Sequence, residues 1–337
     1  MRGRLSTTTR PQPSLSLLAL ALCLLLFAKT AEASLGDRLP EFRECVQVCI
    51  RENCDTDNPT PIPLHRRLLF WTCPQECDYT CQHIVTQQRV AAGQPVTQFH
   101  GKWPFARVLG VQEPFSVLFS LGNLAAHRRG LAQVRAQIPA SYPLRRYYEL
   151  FAHFGVATWV CSAVFHTRDF ALTEQLDYFA AGAGVLYGMY YAPVRVFRLD
   201  RPDPRRRAAL RLWSLACAAL YAAHVAYLKL WRWNYTYNMA ANVAVGLLQN
   251  SLWTWFSFQR WRESRETWAI LPSVIVAWVF SVMSLELLDF PPLWGALDAH
   301  SLWHLGTIGP TILWYRFMVK DSQDIIASTT KTKDSKA

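Results

Sequence analysis

The chain has 337 residues, of which 51% are hydrophobic, and a formal net charge of +11 at pH 7. The hydrophobic residues are clustered in long runs, which favours a membrane protein over a set of soluble domains. Because the basic residues gather in short loops between those runs, the positive charge does not indicate a nucleic-acid partner.

The first 33 residues have the features of a cleaved secretory signal. Arginines at the start are followed by an apolar stretch at 15–27, and Ala31 and Ala33 place small residues where a signal peptidase reads. An uncleaved signal anchor is the alternative, but the apolar run is short for a membrane span. We therefore predict a signal peptide at 1–33.

Six cysteines follow in the polar segment 34–107, which we predict to be lumenal. They are Cys45, Cys49, Cys54, Cys73, Cys77 and Cys81. An even number of cysteines in a short lumenal segment indicates disulfides, and their spacing places several on one helix face. We therefore expect two helices joined face to face, with the pairing left open. A structural zinc site is less favoured, because zinc-binding cysteine pairs are usually separated by two residues.

Seven apolar stretches further along are long enough to cross a bilayer, which takes about 20 mainly apolar residues. They lie at 108–126, 150–166, 177–196, 208–228, 237–258, 268–288 and 297–319. The sequence therefore predicts an all-α membrane protein, with seven transmembrane helices at 108–319 after a disulfide-rich lumenal segment. The remaining residues, 320–337, would form a cytosolic tail, and the polar composition of 321–337 predicts disorder.

Basic residues alternate between the predicted loops. Arginines are frequent after the first, third and fifth helices and sparse in the other loops. This asymmetry predicts a lumenal N-terminus and a cytosolic C-terminus, as the signal peptide also does. We expect a multi-pass protein of the endoplasmic reticulum, the Golgi or both.

Five polar residues in the predicted spans lie at a similar depth near the lumenal face. They are Ser162, His166, Asp177, His300 and His304. Ionisable groups inside membrane helices are costly, so each is a functional candidate. Three histidines are a familiar ligand set for catalytic zinc, and imidazole suits zinc better than calcium or magnesium.

This set of residues predicts ester or amide hydrolysis. Zinc in such a site activates water for attack on a carbonyl carbon. Asp177 would orient that water or take its proton, and the Ser162 hydroxyl would donate a hydrogen bond to the oxyanion. The candidates for residues that would hydrogen-bond to the metal ligands and orient them are Glu113, Asn123, Glu286, Asp289 and Asp298.

Each residue also has a structural explanation. Histidines four apart can make interhelical hydrogen bonds, Ser162 can allow close helix packing, and Asp177 can cap a helix. The agreement in depth of all five residues favours the metal site.

The spacing Ser162-x3-His166, Asp177 after ten further residues, and His300-x3-His304 resembles the CREST superfamily of seven-helix membrane hydrolases. That resemblance implies that the three histidines bind zinc, that Asp177 assists the water and that Ser162 lies beside it.

A closer resemblance is to the Per1-like branch of post-GPI attachment to proteins factors, which remodel GPI-anchor lipids. It is carried by the signal peptide, the cysteine-rich segment and the motifs at 112–116, 286–292 and 298–304. It implies a GPI-specific phospholipase of the A2 type, which removes the sn-2 acyl chain of protein-attached GPI before reacylation. GPI-anchored proteins and membrane lipids would be its partners. Phe115 departs from the small residue usual at that position.

Two other functions fit parts of the pattern. One is a ceramidase-type amide hydrolase with the same metal site, against which the cysteine-rich segment argues. The other is a non-enzymatic seven-helix receptor or cargo factor for GPI-anchored proteins, in which the histidines are structural.

Overall fold

The structure, a computed structural model, describes residues 34–55, 57 and 60–334. The predicted signal peptide at 1–33 lies outside these residues. The described part is helical, and no β-strand occurs in it. This agrees with the all-α prediction.

Eleven α-helices lie within the described residues. In chain order they are α1 Leu35–Arg38, α2 Pro40–Asn53, α3 Leu64–Leu68, α4 Cys73–Ala91, α5 Pro114–Gln137, α6 Arg145–Thr167, α7 Ala171–Val196, α8 Pro204–Ala226, α9 Tyr235–Ser264, α10 Leu271–Leu288 and α11 Ala299–Asp334. A π-helical turn, Tyr227–Trp231, extends α8, and a 3-10 turn, Thr267–Ile270, precedes α10.

The long helices α5 to α11 correspond in order to the seven predicted stretches. Within the described residues, three helical stretches are long and apolar enough to cross a membrane: Arg145–Thr167, Pro204–Trp231 and Thr267–Leu285. These belong to α6, α8 and α10. These apolar helices indicate a membrane protein.

Helix α5 differs from its predicted bounds at both ends. Residues 108–111 form a tight turn instead of helix, with Leu109 at φ 53° and Gly110 at φ 86°. The helix begins only after Glu113, where Pro114 takes a first-turn position that needs no N–H donor. It then continues to Gln137, because the arginine-containing sequence beyond 126 is compatible with helix.

The prediction of a disordered tail is wrong for residues 321–334, which continue helix α11. Asp321 is fully buried and accepts two hydrogen bonds of 2.5 Å from the Arg195 guanidinium on α7. Ile325 and Ile326 pack against the hydrophobic core. The polar composition that indicated disorder therefore includes a buried ion-pair partner and two core contacts.

Three disulfides join α2 to α4: Cys45–Cys81, Cys49–Cys77 and Cys54–Cys73. We call the cysteine-rich segment 34–107 that contains them the disulfide-linked segment. The expectation of two helices joined face to face is confirmed, and all six sulfur atoms are in disulfides. Phe42, Val85 and Phe99 are buried between the helices.

This segment lies against one end of the helix bundle, which we call the capped end. The Arg168 guanidinium donates to Gln75 Oε1 at 2.8 Å, and the Ala106 N–H donates to the Gly295 carbonyl at 2.7 Å. The capped end therefore includes the C-terminus of α6, the N-termini of α5, α7 and α11, and the turn before α11.

Helix α5 packs against both α6 and α11 at the centre of the bundle. A Cβ atom at Gly130 of α5 would lie 2.1 Å from the Tyr315 ring of α11, and one at Gly155 of α6 would lie 2.2 Å from the His127 ring of α5. Glycine is therefore required for this close approach, which brings α6 and α11 to the two sides of α5.

The turn at His100 makes the disulfide-linked segment sensitive to pH. His100 Nε2 lies 2.9 Å from Asp78 Oδ2, and its Nδ1 lies 3.3 Å from Asp37 Oδ1. The hydrogen bond with Asp78 raises the pKa of His100 above its ordinary 6.5. Partial burial lowers this pKa, and the negative charge of Asp37 raises it. Protonated His100 therefore stabilises the folded segment through these two carboxylates. This contribution is complete below about pH 6.5 and is lost as the pH rises through the folded-state pKa of His100.

We expect backbone amides at 97–103 to have higher hydrogen-exchange protection factors at pH 6 than at pH 8. The difference should shrink in His100→Gln, which cannot bind the proton. It should persist in His65→Gln, since His65 is exposed on α3. An unchanged pH difference in His100→Gln would contradict this account.

Candidate metal centre

Three histidines meet at the capped end of the bundle. His166 lies in the last turn of α6, and His300 and His304 lie in the first turns of α11. One possible ligand atom from each lies within 4.8 Å of the other two. Their four-residue spacing places His300 and His304 on one face of α11. The predicted ligand residues are thus brought together from distant parts of the chain.

Hydrogen bonds orient two of these imidazoles. His166 Nδ1 lies 2.7 Å from Glu113 Oε2, and His304 Nδ1 lies 3.0 Å from Ser120 Oγ and 3.3 Å from the Ser116 carbonyl oxygen. Carboxylate and carbonyl oxygens accept hydrogen bonds, so we assign the proton to Nδ1 in both rings. Each Nε2 then keeps a lone pair for a metal ion.

This arrangement fits zinc. Metal-binding histidines usually donate their second ring N–H to a carboxylate or a backbone carbonyl. Three neutral imidazoles with a fourth position left to water are a donor set of catalytic zinc sites. His166 and His304 are also buried, at 3% and 4% exposure, so a metal ion there would be shielded from bulk water.

Ser162 and Asp177 lie near the histidines. Ser162 is buried one turn before His166, and its Oγ lies 3.0 Å from Ser120 Oγ. The carboxylate of Asp177 interacts electrostatically with His166 and His300.

The position of Asp177 on its helix differs from the expectation that it opens the third span. Helix α7 begins at Ala171, and Phe170 occupies the N-cap position. Asp177 lies in the second turn and does not cap the helix. The helix-cap explanation for this carboxylate is thereby excluded.

The predicted supporting groups have different positions. Glu113 contacts His166, and the Asn123 side-chain amide donates to the His304 carbonyl oxygen at 2.7 Å. Asp298 instead caps α11 by accepting from the Ser301 N–H at 2.9 Å.

The two remaining candidates lie further along the chain, at the end of α10. Asp289 accepts a hydrogen bond of 2.9 Å from the Trp103 ring N–H and so helps to hold the disulfide-linked segment. The side chain of Glu286 is outside the described part of the chain.

Sequence reasoning missed Ser120 and Lys102. Ser120 belongs to a buried polar face of α5, on which polar residues recur every three or four positions. This recurrence is visible in the sequence and predicts one polar face of a helix. That face is Glu113, Ser116, Ser120, Asn123 and His127. Lys102 is in a turn, and its Nζ lies 2.6 Å from Glu113 Oε1. No local pattern indicates that contact.

Comparison with known proteins identifies the family of the chain. The model of the Per1-like family matches residues 63–322. A protein PER1 homolog of Schizosaccharomyces pombe is 41% identical over 304 residues, which cover 89% of this chain and 91% of that protein.

Vertebrate relatives match over a similar range. The Xenopus laevis protein named GPI-specific phospholipase A2-like PGAP3 is 39% identical over 303 residues, covering 89% of this chain and 93% of that protein. The Homo sapiens protein of the same name is 38% identical over 299 residues, covering 88% and 91%. No solved structure matches the chain significantly. Since the family model and these relatives cover most of the chain, it belongs to the Per1-like family.

Proposed function

We propose that this protein remodels GPI-anchor lipids by zinc-dependent hydrolysis of the sn-2 acyl ester of protein-attached GPI, giving lyso-GPI for reacylation. The observation that carries the proposal is the cluster of three histidines with Asp177 and Ser162. The substrate follows from the family, whose vertebrate members are named GPI-specific phospholipase A2-like. GPI-anchored proteins and their lipid moiety would be its partners.

The histidines His166, His300 and His304 would hold the zinc ion. When bound, zinc acts as a Lewis acid that activates water and polarises a carbonyl oxygen. Glu113 and the Ser116 carbonyl orient the rings through Nδ1, so the ligands need little rearrangement to bind the metal.

Asp177 and Ser162 would act on the reacting groups. The Asp177 carboxylate accepts a proton from the attacking water and can return it to the leaving alkoxide of the glycerol backbone. The Ser162 hydroxyl donates a hydrogen bond to the oxygen that becomes negative in the tetrahedral stage. In the structure Ser120 Oγ gives its own proton to the Ser116 carbonyl at 2.7 Å and lies 3.0 Å from Ser162 Oγ, so the Ser162 proton turns from Ser120 to the oxyanion during the reaction.

The site suits a lipid ester if all seven long helices cross the membrane. Helices α6, α8 and α10 are apolar enough to span. They are joined to α7 and α9 by short connections, for example 168–170 and 197–203, so α7 and α9 must carry the chain back across between them. The capped end would then face the lumen of the endoplasmic reticulum or Golgi, where the acyl ester of a GPI lipid meets the aqueous phase.

The test is the lipid composition of GPI anchors in cells that lack this protein. Complementation with the wild-type chain should restore removal of the unsaturated sn-2 chain. Asp177→Asn, which keeps the side-chain size and removes the base, should lower the rate about 10²- to 10⁴-fold. Asp203→Asn is the control: Asp203 is the N-cap of α8, beyond the end of α7 that is distant from the histidines, and asparagine also caps helices, so this change should have no effect.

Two results would contradict the proposal. Full remodelling with Asp177→Asn would remove the hydrolytic role of the site and favour a non-enzymatic cargo factor. Release of fatty acid from ceramide, with GPI lipids unchanged, would identify an amide hydrolase instead.

A further inference from the structure

Lys102 belongs to the disulfide-linked segment and reaches the candidate metal centre from outside the helix bundle. Its Nζ lies 2.6 Å from Glu113 Oε1 and 2.9 Å from Asp169 Oδ2, and 4.2 Å from the centre of the Phe165 ring. Glu113 Oε2, the other oxygen of the same carboxylate, lies 2.7 Å from His166 Nδ1. One carboxylate therefore bridges the lysine and a candidate zinc ligand.

The bridging carboxylate depends on its cation. The Glu113 side chain is 6% exposed, and a buried carboxylate is costly unless a cation and hydrogen bonds pair with it. Its backbone N–H also donates to the His166 carbonyl at 3.0 Å. Lys102 holds Oε1, so that Oε2 stays directed at the imidazole.

The backbone of the disulfide-linked segment fixes Lys102 in place. Phe99 and Lys102 exchange two backbone hydrogen bonds of 2.8 and 2.9 Å across a tight turn. The Phe99 side chain is 1% exposed and packs with Phe42, Val85 and Cys81 between the disulfide-linked helices. A continuous series of contacts thus runs from the disulfides through Phe99 and Lys102 to Glu113 and His166.

We propose that Lys102 is a positioning residue of the zinc site, through which the disulfide-linked segment completes a metal centre built otherwise on bundle helices. The inference rests on the proposed zinc-dependent function. Lys102 acts through Glu113, which holds the His166 ring with Nε2 directed at the metal. If Lys102 only fastened the segment to the bundle, its loss would change stability but not the zinc affinity of the folded protein.

The test measures the zinc dissociation constant of the purified full-length chain by competition with a chelator. Lys102→Met is expected to weaken zinc binding on the order of tenfold, as substitutions of residues that support a metal ligand typically do. Lys102→Arg keeps the cation and should bind within a few-fold of wild type. Lys229→Met is the matched control, because Lys229 is exposed and contacts only Gln175 among the hydrogen bonds described.

The pair is then tested for coupling. Glu113→Gln should weaken zinc binding about ten- to hundredfold. Lys102→Met should add little in that background, because the group it acts through is already changed. This double variant also leaves no buried unpaired carboxylate, so it serves if Lys102→Met alone does not fold.

The outcomes separate this inference from the proposed function. Two outcomes overturn the role of Lys102 and leave the proposed function standing. In one, Lys102→Met binds zinc as tightly as wild type; in the other, Lys102→Met weakens zinc binding further in the Glu113→Gln background. A folded wild-type chain that binds no zinc overturns the proposed function, and this inference with it.

Discussion

Replacing His300 or His304 with alanine is expected to remove bound zinc and acyl-ester hydrolysis together. The wild-type chain should carry about one tightly bound zinc, because three imidazoles with an open position make one catalytic site. A direct ligand cannot be replaced by its neighbours, so the loss of activity should exceed the roughly ten- to hundredfold typical of supporting groups. Metal analysis and lipid hydrolysis are measured on the same preparation.

His153→Ala is the matched control, since His153 is an exposed histidine on α6, the helix that carries His166. It should keep both the metal and the activity. Because His304 is buried, His304→Gln is made as well to preserve volume. An active preparation without zinc, or a His304 variant with full activity, would refute the metal-dependent mechanism.

Asp321→Ala is expected to destabilise the folded protein by about 3–5 kcal/mol, because it leaves a buried guanidinium without its partner. The Arg195 and Asp321 side chains are 6% and 0% exposed, and they are joined by two hydrogen bonds of 2.5 Å. The pair links α7 to α11 at the end of the bundle away from the histidines. The free energy of unfolding in mixed micelles gives the measurement.

Asp324→Ala is the control on the same helix. Asp324 pairs with Arg260, but its side chain is 37% exposed, so its loss should cost no more than about 1 kcal/mol. The double variant Arg195→Met with Asp321→Leu should recover most of the stability, since it buries no charge. Equal effects of Asp321→Ala and Asp324→Ala would show that the buried pair is not important for stability.

Local patterns were sufficient for the helices and for the candidate ligands. Apolar stretches long enough to span a membrane predicted the order of α5 to α11. The four-residue spacing in His300-x3-His304 and Ser162-x3-His166 placed side chains on common helix faces. These predictions succeed because the period of a helix acts over a few residues and is written in consecutive sequence.

Charge and spacing were less informative where residues distant in the chain meet. Composition predicted disorder beyond 320, but Asp321 is ordered by an arginine on α7. The sequence allowed Asp177 to cap a helix, but helix α7 begins six residues earlier, at Ala171.

The sequence by itself thus determined the all-helical class, a cysteine-rich segment that forms disulfides and the residue types of a candidate metal site. The tertiary structure decided which cysteines pair, that α11 continues beyond the predicted span, and that Ser120 contacts His304 and Lys102 contacts Glu113. The physical reason is that these features depend on packing between residues far apart in the chain. The contact of Lys102 with Glu113 exists only because the disulfide-linked segment folds onto the end of the bundle where His166 lies.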